Sequence, residues 1–116
     1  MVTEKQESLG SIIESENQVH LSIYLVNQGD LVDLKRQIKE SLMEAKESLD
    51  PIFSDEEKRV FLRPIEFLLE DARRLKRIKG NIGIFRTKND FRILSLPVEV
   101  KRSCYVASSF HVKPLL

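Results

Sequence analysis

The side chains best suited to ligating a metal or attacking a carbonyl are His20, His111 and Cys104. They are dispersed, with no C-x-x-C or H-E-x-x-H spacing, whereas a metal centre needs several ligands converging on one ion. His20 reads as the opening of a strand and His111 as a residue ordering a local turn. Nucleophilic hydrolysis needs a Ser or Cys beside a base. There is no G-x-S-x-G turn, and Cys104 lies in the apolar-looking run 103–107, where it reads as a packing residue. The many carboxylates fall at outward helical positions, where solvation and i to i+4 pairing account for them. The chain is therefore expected to have no catalytic residues, no metal and no cofactor, and not to be an enzyme.

The densest chemical signal is cationic: Arg73, Arg74, Lys76, Arg77 and Lys79 place five cations in seven positions. Cations at a helix C-terminus complement its free carbonyls, which is one reading of the run. The other is that the run neutralises phosphates, with Arg86, Lys88 and Arg92 on an adjoining hairpin extending the surface. At about 100° per residue the cations spread around a helix. Leu75 and Ile78 then face inward, and Arg73, Lys76 and Arg77 form the outward group. Phe85 and Phe91 could stack on bases if exposed, although hairpin aromatics are commonly core residues. Gly80-Asn-Ile-Gly83 has the G-x-x-G spacing of an RNA-gripping KH loop, but between a helix and a strand rather than two helices. No P-loop or dinucleotide fingerprint is present.

The elements that must position these residues are legible from period and punctuation. Thr3 and Gln6 have capping-box spacing ahead of a short helix whose stripe is Leu9, Ile12 and Ile13. Residues 19–26 are β-branched and aromatic, predicting a buried strand that ends at the turn-like 27–30. Leu31, Leu34, Ile38, Leu42, Ala45 and Leu49 recur every three or four residues and predict a helix over 31–49, ended by Asp50-Pro51. Ser54 and Glu57 open a second helical run that could reach Lys79, with a kink or break expected around Leu62 to Pro64. Gly80 is placed to end it. Strands follow over 81–87 and 91–96, joined by a turn at 88–90, and over 103–107. The expected fold is α+β, a mixed β-sheet packed against a long helical pair, in the order α-β-α-α-β-β-β. Leu34, Ile38, Leu42, Leu68 and Leu75 should pack between the layers.

Bulk properties agree with one ordinary domain. Of 116 residues, 41% are apolar and 32% charged, with only four Gly and four Pro, so the chain is neither disordered nor low-complexity. One Cys cannot make an internal disulfide, and no apolar run approaches the ~18 residues of a membrane span. Glu4, Glu7, Glu14 and Glu16 contradict a secretory signal peptide, so a cytoplasmic location without membrane contact is expected. Net charge is +1, yet residues 1–70 carry 8 Lys and Arg against 15 Asp and Glu, while residues 71–116 carry 11 against 3. A basic segment attracts polyanions where folding gathers its charges on one face.

Several stretches resemble the bacterial relatives of the archaeo-eukaryotic peptide-chain release factors and of Pelota. They are His20-Leu-Ser-Ile-Tyr-Leu25, Leu62-Arg-Pro-Ile-Glu-Phe-Leu-Leu69, Gly83-Ile-Phe85, Phe91-Arg-Ile-Leu-Ser-Leu-Pro97 and, most specifically, Phe110-His-Val-Lys-Pro-Leu-Leu116. Phe110, His111, Lys113 and Pro114 carry the last of these. The likeness covers residues 3–116 and corresponds to that family's N-terminal domain. It implies that 1–116 is a single domain excised from a longer chain whose downstream domains are its partners. It also implies contact with ribosomal, messenger or transfer RNA. Where family members that decode stop codons have Thr-Ala-Ser-Asn-Ile-Lys-Ser, this sequence has Asp50-Pro-Ile-Phe-Ser54; their Tyr-x-Cys positions hold Cys104 and Val106. Bacterial relatives often have Gly-Asp-Arg where this sequence has Ala107-Ser-Ser109, and no Gly-Gly-Gln occurs. The resemblance thus extends to fold and partner class, not to decoding residues.

The expected function is a non-catalytic recognition domain that binds the ribosome or tRNA/rRNA in translation quality control, rescue or stress, with no DNA partner. The alternative is a protein-interaction or regulatory domain whose basic cluster meets an acidic protein.

Overall fold

Strand β1 (His20–Leu25) is central, and residues 21–25 are buried on both of its faces. Leu21, Ile23 and Leu25 point to a helical layer, Ser22 and Tyr24 point away, and all five are buried. The computed structural model describes residues 19–107. The helix expected near Thr3 and the family-motif residues Phe110, His111, Lys113 and Pro114 lie outside that range.

Helix α1 (Leu31–Leu49) starts where Asp30 Oδ1 accepts from the amides of Val32 and Asp33 at 3.0 and 3.2 Å. Its stripe of Leu34, Ile38, Leu42, Ala45 and Leu49 is buried against the sheet, as the period predicts. Gln37 on the same face closes the end of β1. Its Nε2 donates to the Val26 carbonyl at 2.8 Å, and its Oε1 accepts from the Val26 amide at 2.9 Å.

Helix α2 (Asp55–Leu68) opens on the expected capping box. Ser54 Oγ accepts from the Glu57 amide at 3.2 Å, and Glu57 Oε1 accepts from the Ser54 amide at 2.8 Å. The helix continues through Pro64 to Leu68, so of the kink or break expected around Leu62 to Pro64 the break does not occur. A proline at 64 leaves the Val60 carbonyl without its helical donor. The Arg86 guanidinium instead donates to the carbonyls of Phe61 at 2.7 Å and Val60 at 3.4 Å. The helix ends later, where the amides of Leu69, Glu70 and Asp71 turn back three residues to Glu66, Phe67 and Leu68. A short third helix, α3 (Ala72–Arg77), follows.

Strands β2 (Asn81–Thr87), β3 (Asp90–Leu96) and β4 (Ser103–Ala107) complete a sheet in the order β3-β2-β1-β4. Every pairing is antiparallel, with Leu21 opposite Arg86 and Val106, and Thr87 opposite Asp90. The fold is α+β, but the sheet is not mixed. Ion pairs from Lys58 to Asp50 and from Lys46 to Glu66 show that α1 and α2 run antiparallel. Two opposed passes return the chain to the end of the sheet it left, so β2 enters reversed; a single crossover helix would have made it parallel.

The main core lies between the sheet and the helices. It includes all five positions expected to pack there, Leu34, Ile38, Leu42, Leu68 and Leu75. On the opposite face Tyr24, Phe85 and Leu96 form a second buried cluster, flanked by Val98 and Val100. The Phe85 ring meets Tyr24 edge to face at 5.9 Å. Gly83 makes room for it, since a Cβ there would lie 2.9 Å from that ring.

Candidate polyanion interface

The cationic run is held by α3 and the crossing into β2. Asp71 caps α3 by accepting from the Arg74 amide at 3.1 Å. Leu75, 1% exposed, anchors the helix in the core, and half-buried Ile78 packs behind it. Arg73, Arg74, Lys76, Arg77 and Lys79 are all exposed. Among the described residues, none of the five side chains takes part in an ion pair or a hydrogen bond.

The backbone that follows α3 is pinned by neutral groups. Asn27 Nδ2 donates to the carbonyls of Ile78 and Gly80 at 3.0 and 2.9 Å, and Ser95 Oγ donates to that of Lys79. Asn81 Oδ1 accepts from the Asn27 amide at 3.0 Å, and Asn81 Nδ2 donates to the Val98 carbonyl at 2.9 Å. Gly80 takes φ +85°, where a side chain is strained, and a Cβ there would approach the Leu96 carbonyl to 3.2 Å. Asn27 and Ser95 thus take up the carbonyls of residues 78–80, and the cationic heads around them are exposed. Sequence reasoning missed Asn27 and Asn81. Their one visible signal is an Asn at the end of β1 and another at the start of β2.

The remaining cations do not join this surface. Arg86, expected on it, is 9% exposed with its guanidinium over the Phe61 ring at 5.1 Å, and burial lowers its pKa. It belongs to the sheet–helix interior because its register with Leu21 places it on the helical face. Lys88 is exposed at the hairpin tip, and the seven-residue β2 separates it from Lys79 by roughly 20 Å. Arg92 is exposed near that tip, and its Nε donates to Asp90 at 3.0 Å. The expected continuous basic face therefore divides into the α3 end and the hairpin tip. Arg102, also from the basic third, is taken up by α1, its Nη2 lying 2.6 Å from Glu44 Oε2.

Phe85 and Phe91 offer no stacking platform: Phe85 is buried against Tyr24, and Phe91 packs on the main core. The glycines of Gly80-Asn-Ile-Gly83 have structural uses, Gly80 for its backbone angle and Gly83 for the Phe85 ring. Cys104 Sγ lies 3.6 Å from the Ser41 carbonyl, and burial, reinforced by Glu44, pushes its pKa up to about 12. Such a thiol is a poor nucleophile. Among the described residues no group of His, Cys, Asp and Glu gathers as a metal site, and no helix is long and apolar enough to cross a membrane.

Beside the cationic run, a cleft of about 300 Å³ opens between the 27–31 segment and α3. Leu31, Leu34, Leu75 and Ile78 line it, and Lys76 and Lys79 stand at it. No protein-family model, curated protein or solved structure matches this chain.

Proposed function

We propose that this chain is a release-factor-like N-terminal domain that binds ribosomal or transfer RNA through the cationic end of α3. It would act in the cytoplasm in translation quality control, rescue or stress, without catalysing a reaction. One observation carries the reading: an anchored short helix and the residue pair after it present five cations that no carboxylate among the described residues neutralises. The carbonyls just beyond the helix, those of Ile78, Lys79 and Gly80, are taken up by Asn27 and Ser95, so these cations do not serve them. The likeness of Phe110-His-Val-Lys-Pro-Leu-Leu116 and the strand and helix stretches to the release-factor superfamily supplies the partner class. With it goes that family's finer architecture, a leading helix ahead of β1 and a helical pair of α1 and α2.

The mechanism is positioning. Lys and Arg contacts to phosphates fix orientation and register but carry no base information, so discrimination would come from the shape of the RNA or from neighbouring domains of the parent chain. The test is ribosome crosslinking combined with competition between structured RNA and heparin. Crosslinks to ribosomes, with structured RNA competing better than heparin at equal charge, support the reading. Equal competition and no ribosomal crosslinks would point instead to an acidic protein partner.

A further inference from the structure

The cleft beside α3 combines two features that different ligand classes would use singly. Leu31 and Ile78 are half-buried and leave an aliphatic floor open, whereas Lys76 and Lys79 are exposed and without ion pairs among the described residues. No lining residue is acidic. Its volume of about 300 Å³ lies at the small end of the ligand-site range. Its wall is built in advance, because Asn27 already holds the Ile78 and Gly80 carbonyls and its Oδ1 accepts from the Gly29 amide at 3.1 Å. Little ordering would be needed on binding.

We infer that this cleft seats one nucleotide of single-stranded RNA, its base on the Leu31 and Ile78 floor and its phosphate between Lys76 and Lys79. This rests on the RNA-binding reading and adds to it a site for a base. An apolar flat face joined to an anion is what the floor and rim together complement, and a nucleotide unites the two. Asn27 has spent its amide on the walls, so the site has no free side-chain amide with which to tell bases apart. Binding is therefore tolerant of sequence, as on other single-strand platforms.

The experiment compares a labelled oligouridylate with an abasic ribose-phosphate strand of equal length and charge. The base-bearing strand should bind more tightly, by roughly threefold to fivefold, at or below the low end of what an aromatic platform gives a stacked base, because this floor is aliphatic. Leu31→Gln should remove that preference while leaving the salt dependence intact. The double variant Lys76→Gln/Lys79→Gln should lower the log–log salt slope by about 0.7, since the two lysines share one phosphate. Because Leu31 also touches the core, the wild-type protein is crosslinked in parallel to 4-thiouridine-bearing RNA, with adducts expected at Leu31 or Ile78. Equal binding of both strands, or adducts confined to other segments, overturns the cleft and leaves the RNA reading standing. Binding of neither strand overturns both.

Discussion

Arg86 Nε donates to the Phe61 carbonyl at 2.7 Å, within the turn that precedes Pro64. The two residues come from opposite layers, and the same guanidinium reaches the Val60 carbonyl, the one that Pro64 strands, at 3.4 Å. A helix-interior proline costs about 3 kcal/mol, part of which is the carbonyl it strands. The guanidinium answers that carbonyl and its neighbour as a largely buried cation that takes part in no ion pair among the described residues.

The first prediction separates this pairing from simple packing. Arg86→Met keeps an unbranched stem but removes the donors, and should destabilise the fold by about 1.5–3 kcal/mol, the range for hydrogen bonds to a charged group. Pro64→Ala should stabilise the Arg86→Met protein more than it stabilises the wild type, because the restored amide then meets an otherwise unanswered Val60 carbonyl. A coupling of at least about 0.5 kcal/mol is expected from denaturant midpoints in the four-protein cycle. Additive effects would mean that Arg86 does not compensate Pro64.

A second prediction uses two adjacent residues. Leu42 is 6% exposed in the α1 stripe, whereas Met43, its neighbour, is 66% exposed. Leu42→Ala should cost about 2–5 kcal/mol by removing transfer energy and leaving a cavity. Met43→Ala should stay within about 0.5 kcal/mol, as surface changes do. Equal shifts in the two midpoints would contradict the assigned face of α1.

These contrasts show what was legible in the sequence. The α1 stripe repeats within one helix, and the Ser54–Glu57 capping box spans four residues, so local rules find both. The passage of α2 through Pro64 was illegible because its compensating donor lies 26 residues beyond Val60 on another layer. The antiparallel sheet depends on α1 and α2 forming two opposed passes, a fact about packing rather than about any window of residues. In the candidate site the exposure of Arg73, Lys76 and Arg77 followed from helical angle once Leu75 was placed in the core. Removing Arg86 from that surface required the β1–β2 register, which sets it opposite Leu21 on the helical face.

The third prediction concerns Cys104, whose thiol pKa is raised to about 12 by burial and by Glu44. At pH 8 the native protein should react with iodoacetamide far more slowly than the unfolded chain, whose thiol has an ordinary pKa near 8.5. The sign of the stability effect follows. Between pH about 9 and 12 the unfolded chain has lost this proton and the folded one retains it, so stability should fall as pH rises through that window. A Cys104→Ala protein should show a shallower decline. Rapid native-state alkylation, matching that in denaturant, would show the thiol to be accessible and ionisable.

The last prediction asks whether the exposed cations of α3 contact nucleic acid or merely keep the surface solvated. Arg73, Lys76 and Arg77 are exposed, while Leu75 between them is anchored, so changing the three heads to Gln leaves the anchor and the helix propensity in place. None of the three takes part in an ion pair among the described residues, so their loss strands no carboxylate there. The thermal midpoint should therefore stay close to that of the wild type. If each cation contacts one phosphate of single-stranded RNA, the log–log salt slope should fall by roughly 0.7 per contact, about 2 in all. Lys88→Gln serves as the contrast, because its place at the far end of β2 keeps it from the same stretch of backbone. A folded triple variant with unchanged slope and affinity would remove α3 from the RNA contact, and a loss of slope in Lys88→Gln alone would move that contact to the hairpin tip.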